Sequence, residues 1–454
     1  MANYILLFGL IIIELVALYT FEDFMAPACL VCESFLLAYF CAIFSSIFGG
    51  WRFSLKYLTV VLIIIGLSMF CFGSIVSKKT GIKNRKLNSI MQFEMVIINS
   101  KKLAVMLAVQ ILLLLLYLLY YRRSIAQFGK MNWFSMIRAY RFLSSYGEGL
   151  ELPIPGWINQ IVKIAKANGY IALYVLMHNL AVRRFVNKRI TNTLILVIII
   201  ALYIPYNILN AARFELIVVL CMGIIIWYSY YQRCSSIVGK KSRNMRKAIK
   251  KIAIIILISF AVFSTVAPFV GRTASSSIIS QAVDYLGRSI QAFDTFVVSP
   301  EFKDKITEKE SIYNVLKFLN QINLIQNDVG KIHLGFAYQN GHSLGNTYTA
   351  LRRYYADMGM MGVLLFPFIG GFFLTNMYKQ LKYVPIGEID FRLLCYSAII
   401  YSAFLYSFDD YLFAAILSFN YLVIFFFLYI VSRWLKGETI LTKKKRVVIR
   451  VGKV

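Results

Sequence analysis

The chain is organised around runs of about twenty apolar residues, the length an α-helix needs to cross the hydrocarbon core of a bilayer. Eleven such runs are read, at residues 3–20, 28–48, 57–76, 103–121, 166–182, 192–209, 213–231, 252–270, 356–376, 393–408 and 412–431. The expected fold is therefore all-α, a polytopic membrane helix bundle forming a single domain over residues 1–454. The run at 166–182 is the least apolar, since it contains Asn168, His178 and Asn179. Lipid offers such groups no partners, so they are expected to face other helices or a cavity.

A soluble reading fails on composition. Hydrophobic residues make up 59% of the chain and charged residues only 15%, against ~25% charged in soluble domains. With eight prolines and 26 glycines, the chain is not built for disorder either. The formal charge of +28 could indicate nucleic acid, but the basic residues cluster between apolar runs, at 78–86, 183–189, 233–251 and 443–453. That is the pattern of lysines and arginines held in cytoplasmic loops, and no nucleic-acid partner is expected. The seven cysteines lie mostly inside apolar segments, where a thiol behaves as a small buried hydrophobe. Cys29-x-x-Cys32 lacks a second pair, and no disulfide framework follows. The N-terminus has no basic leader or small-residue cleavage site, so the first helix is expected to be retained.

With the basic tail 432–454 inside, loops 77–102, 183–191, 232–251 and 377–392 fall inside too. The N-terminus and two long segments, 122–165 and 271–355, then lie outside. Arg52, Lys56, Arg122, Arg123 and Arg138 depart from the pattern, because they are placed outside. Within 271–355, apolar residues from Ile278 to Val297 recur at a helical period, with Gln281, Asp284, Arg288 and Gln291 on the opposite face. Asp284 and Arg288 are four apart and can pair. A second amphipathic piece runs from Ile312 to Ile325. Both suit a helix lying flat on the membrane surface. No internal repeat is found, which argues against a transporter built from two similar halves.

Three polar clusters sit at expected outer helix ends. Asn207, Asn210 and Arg213, with Glu215 just beyond, follow Pro205, which is expected to break its helix; they read either as capping with a local ion pair or as an arginine poised for phosphate. Gly271-Arg272-Thr273, followed by Asp284 and Arg288, reads as a second cluster or as ordinary solvated surface. The third runs from Gly341-His342-Ser343 through Asn346, Tyr348, Arg352 and Arg353 to Asp357, Gly359 and Gly362. Helical from about Thr347, it would align Tyr348, Arg352, Tyr355, Gly359 and Gly362 in one stripe. The two glycines would let another helix approach, and Arg353 could pair with Asp357. The chain has no Walker lysine loop, no Asp-x-Asp clamp and only three histidines, so no metal or cofactor is expected. What remains is an outward site of arginines, acids and a histidine suited to an anionic ligand such as a lipid diphosphate.

Two stretches resemble the oligosaccharide repeat-unit polymerases, the Wzy family of bacterial capsule and O-antigen assembly. They are Gly345-Asn346-Thr347-Tyr348-Thr349 running on to Gly362, and Asn210-Ala211-Ala212-Arg213 opening a helix. The N-terminal layout of a helix, an Asp23…Pro27 turn, a second helix and Trp51 is also similar. The resemblance implies a multi-pass protein of the bacterial plasma membrane with a metal-independent membrane glycosyltransferase (GT-C-like) architecture. It would join undecaprenyl-diphosphate-linked units on the outer face: a hydroxyl of the incoming unit attacks the anomeric carbon of the growing chain and lipid diphosphate leaves. A flippase and a chain-length regulator of the same pathway would be partners.

Carried onto this chain, the resemblance makes Arg213 the helix-opening arginine and Arg272 or Arg288 the loop arginine, with Asn346, Tyr348, Arg352 and Arg353 lining the substrate. His342 and Asn346 fall near a ligase His-Asn position, although here three residues lie between them. His342, Asp284 and Asp357, in that order, are the candidates for a general base worth ~10²–10⁴-fold; Arg353 would depress Asp357. A ligase moving finished polymer, or a flippase for the lipid-linked unit, are the competing readings.

Overall fold

The computed structural model describes residues 1–48, 51–80, 93–146, 150–186, 190–209, 214–238, 278–299, 309–326 and 334–437. The described part is a helix bundle: α1 (Ala2–Phe21), α2 (Pro27–Phe48), α3 (Tyr57–Lys79), α4 (Ser100–Ala126), α5 (Trp133–Tyr146), α6 (Gly156–Val186), α7 (Thr193–Leu209), α8 (Phe214–Ile237), α9 (Ile278–Val298), α10 (Tyr313–Gln321), α11 (Ala350–Gln380), α12 (Phe391–Ile399), α13 (Tyr401–Phe404) and α14 (Phe419–Lys436). The described strands are the two of a hairpin, β1 (Ala337–Gln339) and β2 (His342–Gly345).

Seven of the described helices are long and apolar enough to cross a membrane: α1, α2, α3, α4, α8, α11 with its short extension, and α14. Two of the expected crossings, α7 and residues 391–404, are apolar but shorter. The crossing expected at 166–182 belongs to the 31-residue α6, and that at 252–270 lies outside the described residues. The segment 412–431 is not one helix. It opens with a π turn, Leu412–Ile416, and restarts after Ser418, whose side chain caps α14 by accepting from Tyr421 N. Pro205 does not end α7, which continues to Leu209; a proline forfeits one backbone bond, which neighbours in a membrane bundle can compensate.

Among the described helices, α3 and α11 share the most extensive contact. A side chain on Gly73 would fall on the carbonyl of Phe368, and one on Gly371 on the carbonyl of Phe70. These glycines bring the two backbones together, in the manner of small-residue membrane interfaces. The polar residues of α6 turn inward as expected: Asn168, His178 and Asn179 are all buried. The Asn179 side chain bonds both the N–H and the carbonyl of Val96 at 2.9 Å, and His178 Nε2 accepts from Gly387 N.

One end of the bundle is tied by lysines. Lys78 donates to Thr20 O near the C-terminus of α1. Lys379 donates to Ser77 O and Thr80 O at the end of α3, both at 2.8 Å. Lys102 donates to Trp434 O and Leu435 O at the end of α14. Each ammonium meets carbonyls at the C-terminal end of a helix, where the dipole is negative. Asp23, between α1 and α2, gathers Tyr228 and Tyr378 hydroxyls at 2.6 Å and Gln232 at 3.2 Å near the same end.

At the opposite end, α9 buries Ile290, Phe293 and Val297 in the bundle. It packs along α2, where a side chain on Gly287 would strike the backbone of Cys41 and Ala42. Its polar face is also used. Gln291 accepts from Ser54 N at 2.9 Å and Asp294 from Lys56 N at 2.8 Å, pinning the loop before α3. The helical pattern holds, and part of its polar side, Gln291 and Asp294, satisfies loop backbone, while Asp284 and Arg288 pair with each other. Burial lifts the Asp294 carboxyl above its usual range, against the pull of Thr59, Lys56 and Gln291.

Candidate functional site

The end of the bundle opposite the lysines holds a nest of acids and arginines built where α11 begins. Thr349 precedes α11 in extended backbone, and the first two turns carry Arg352, Arg353 and Asp357. The two arginines are consecutive, so they diverge. Arg353 is buried and grips Asp409 with Nε to Oδ1 at 2.7 Å and a terminal nitrogen to Oδ2 at 2.9 Å. Arg352 pairs with Glu310 and lies over the rings of Phe296 and Tyr348, 4.3 and 5.0 Å from their centres. Glu310 also stands 4.0 Å from Arg353, so one carboxylate lies between both guanidiniums. Burial raises the Glu310 carboxyl above its usual range, with Arg352 and Arg353 opposing the rise.

Asp357 does not pair with Arg353 as the four-residue spacing had suggested. Its two oxygens accept the backbone N–H groups of Glu310 and Ser311 at 2.6 and 2.8 Å. Those two contacts hold Glu310 against the arginines. Asp357 is thus engaged as a clasp rather than offered as a base. Immediately after it α11 breaks: Met358 and Gly359 leave helical geometry, with Gly359 at φ 57° and ψ −138°. The expected stripe from Tyr348 to Gly362 is interrupted there. Gly359 admits no neighbour, since nothing lies within 4 Å of a side chain placed on it. Gly362 is close-packed by its own chain instead, facing the carbonyl of Tyr354.

Asp410, buried beside Asp409, accepts from the N–H groups of Leu412, Phe413 and Ala414 and so starts the π turn. Tyr285 of α9 meets Phe408 with ring centres 4.6 Å apart. This links the nest to a second pair, Arg288 and Asp284, at 2.7 Å, as the spacing indicated. Asp284 also accepts from Ser45, which in turn accepts from Trp51 Nε1. Arg288 reaches Ser343 O in β2 at 3.0 Å.

His342 lies in that hairpin, whose turn Asn340-Gly341 has φ of 50° and 81°, the left-handed pair such tight turns require. The His342 side chain is exposed and makes no hydrogen bond to a described residue. It is not brought to the arginine nest. Asn346 follows the hairpin and is half-buried; Tyr348 is buried, with its hydroxyl on Gly335 O at 3.0 Å. Arg213 and Arg272 lie outside the described residues. Glu215, expected beside Arg213, accepts from Lys166, Tyr170 and Tyr203, a buried cluster joining α6, α7 and α8.

Reasoning from sequence passed over Glu310 and Asp409, which complete the nest. Neither has a local partner at helical spacing, and the contacts of Arg352 and Arg353 span 42 and 56 residues. With two guanidiniums and four carboxyls, the nest is not a cradle for an anion. It is an arrangement in which arginines hold carboxyl groups in place, enclosed by aromatic rings. Among the described residues no group of three or more His, Cys, Asp or Glu could hold a metal ion. No family model, no curated protein and no solved structure matches the chain.

Proposed function

We propose that the chain polymerises undecaprenyl-diphosphate-linked oligosaccharide units on the outer face of a bacterial plasma membrane, by metal-independent glycosyl transfer within an eleven-crossing, GT-C-like bundle. The observation that carries this reading is Glu310 held between Arg352 and Arg353, at the start of a helix whose sequence resembles the polymerase segment. The leaving diphosphate is a good one, so the protein must chiefly position the reactants and accept one proton.

In this reading Glu310 takes the proton of the acceptor hydroxyl. The hydroxyl oxygen forms a bond to the anomeric carbon, and the bond from that carbon to the diphosphate oxygen breaks. Arg352 and Arg353 fix the carboxylate, and Asp357 fixes the segment that bears it. Glu310 therefore replaces His342, Asp284 and Asp357 as the base. The lipid diphosphate is assigned to Arg213 and Arg272, whose planar forks suit phosphate. A flippase would supply the substrate and a chain-length regulator would act on the product.

A deletion strain tests the reading. It should accumulate single lipid-linked repeat units on the outer leaflet and lose long polymer. Long chains left on lipid would identify a ligase, and units trapped on the inner leaflet a flippase. Normal polymer length would end the proposal. In the complemented strain, Glu310→Gln at normal membrane levels should reduce polymer by ~10²–10⁴-fold, the usual contribution of a general base.

A further inference from the structure

We infer that α5 is an interfacial helix that seats on the phospholipid headgroups where α4 leaves the membrane, binding their phosphates through basic residues. α4 is one of the helices able to span, and it ends at Ala126. α5 starts at Trp133 after a short turn that includes Gly129 at φ 70°. A helix so close to the end of a crossing lies at the boundary between lipid and water.

The helix has two working faces. Ile137 and Tyr140 are buried against the bundle, with Tyr140 edge-on to Tyr121 of α4 at 5.3 Å. Phe134, Arg138 and Phe142, spaced four apart, form an exposed stripe on another side. The Phe142 side chain is 63% exposed and Trp133, at the first turn, 46%. Large aromatics with an arginine set between them are the composition of a helix that dips rings among lipid chains and keeps cations at phosphate level.

The charges around it agree. Arg122, Arg123, Lys130 and Arg138 are all exposed, and Glu151 is the acid among the described residues 122–165. The basic residues that break the positive-inside pattern here thus acquire a ligand, the anionic headgroup. This does not depend on what the chain catalyses.

The test uses full-length protein in lipid nanodiscs, with Trp133 as the reporter. Its emission is isolated by subtracting that of Trp133→Phe, and nanodiscs contain phosphatidylcholine or phosphatidylglycerol brominated near the headgroup end of the chains. Both lipids should quench Trp133, the anionic one more strongly. Replacing Arg138 with Gln should reduce the preference for the anionic lipid ~fivefold, as should Lys130→Gln. Quenching by aqueous iodide but not by brominated lipid would overturn the inference and leave the stripe in water. Quenching by neither would also overturn it and mean that protein covers the stripe. Equal quenching by the two lipids, unchanged in Arg138→Gln, would overturn the phosphate contact.

Discussion

Arg353 and Asp409 face each other as a two-pronged pair, with contacts of 2.7 and 2.9 Å across 56 residues of chain. Both are largely enclosed, at 4% and 16% side-chain exposure. Removing one partner strands the other in a site it cannot leave. Arg353→Met should therefore cost about 3–5 kcal/mol, while Arg353→Met combined with Asp409→Leu should recover much of that. Arg353→Lys should fall between, because a lysine offers no fork. Thermal unfolding of the purified protein in detergent reads all three; a double variant as weak as the single one would refute the coupling.

Asp410 makes stability depend on pH. Its burial lifts the carboxyl from the usual 3.8 to about 7, against opposing contributions from the Phe413 N–H and Arg353. Between those values the folded protein keeps a proton that the unfolded chain has lost. Stability should then fall as pH rises through that window, by up to about 1.4 kcal/mol per pH unit. Glu310 acts in the same direction, so the diagnostic is the change in slope. Asp410→Asn should flatten it, and unfolding curves at about pH 5 and about pH 8 that shift equally in both proteins would exclude the assignment.

The break in α11 separates two glycines that look alike in sequence. Gly359 needs φ 57° and ψ −138° but has open space beside it. Alanine there meets only backbone strain, about 1–3 kcal/mol. At Gly362 an added methyl group would collide with the Tyr354 carbonyl. Gly362→Ala should consequently be the worse variant, visible as loss of the monodisperse peak in size-exclusion chromatography, whereas Gly359→Ala should retain it. The reverse order would contradict the geometry.

Asp357 should behave as a clasp. Asp357→Asn keeps one carbonyl acceptor for the two N–H groups of residues 310 and 311, while Asp357→Leu keeps none and leaves buried donors unmet, at about 1–3 kcal/mol. Proteolysis of the 309–312 segment in the folded protein should accelerate in Asp357→Leu far more than in Asp357→Asn. Equal rates would remove the clasp.

Seven helices able to cross were legible because lipid demands long apolar runs, and the Asp284–Arg288 pair was legible because helical spacing is local. The Arg353–Asp409 pair was not, since nothing in sequence joins residues 56 apart. Arg353 had a nearer candidate in Asp357, which the backbone of residues 310 and 311 claimed first. The hairpin did carry a signal, Asn340-Gly341, in a segment otherwise read for its histidine. For α9 the helix was evident and its destination was not. Gln291 and Asp294 look like a solvent face until the loop before α3 supplies the groups they bind. Gly73 and Gly371, which bring α3 and α11 together, are ordinary glycines in sequence; only the pairing of their helices reveals them.

The lysines at the helix ends also carry a schedule. Lys78 lies on α3 and closes α1, and Lys379 lies on α11 and closes α3. The end of α14, the last described helix, is met by Lys102, already present on α4. During synthesis the terminal carbonyls of α1 would stay in contact with water until α3 arrives, and those of α3 for some three hundred residues more. Early helices would thus remain provisional, free to shift in the bilayer, until a late one bolts them. Reversing the charge at residue 379 should be felt by the first third of the chain.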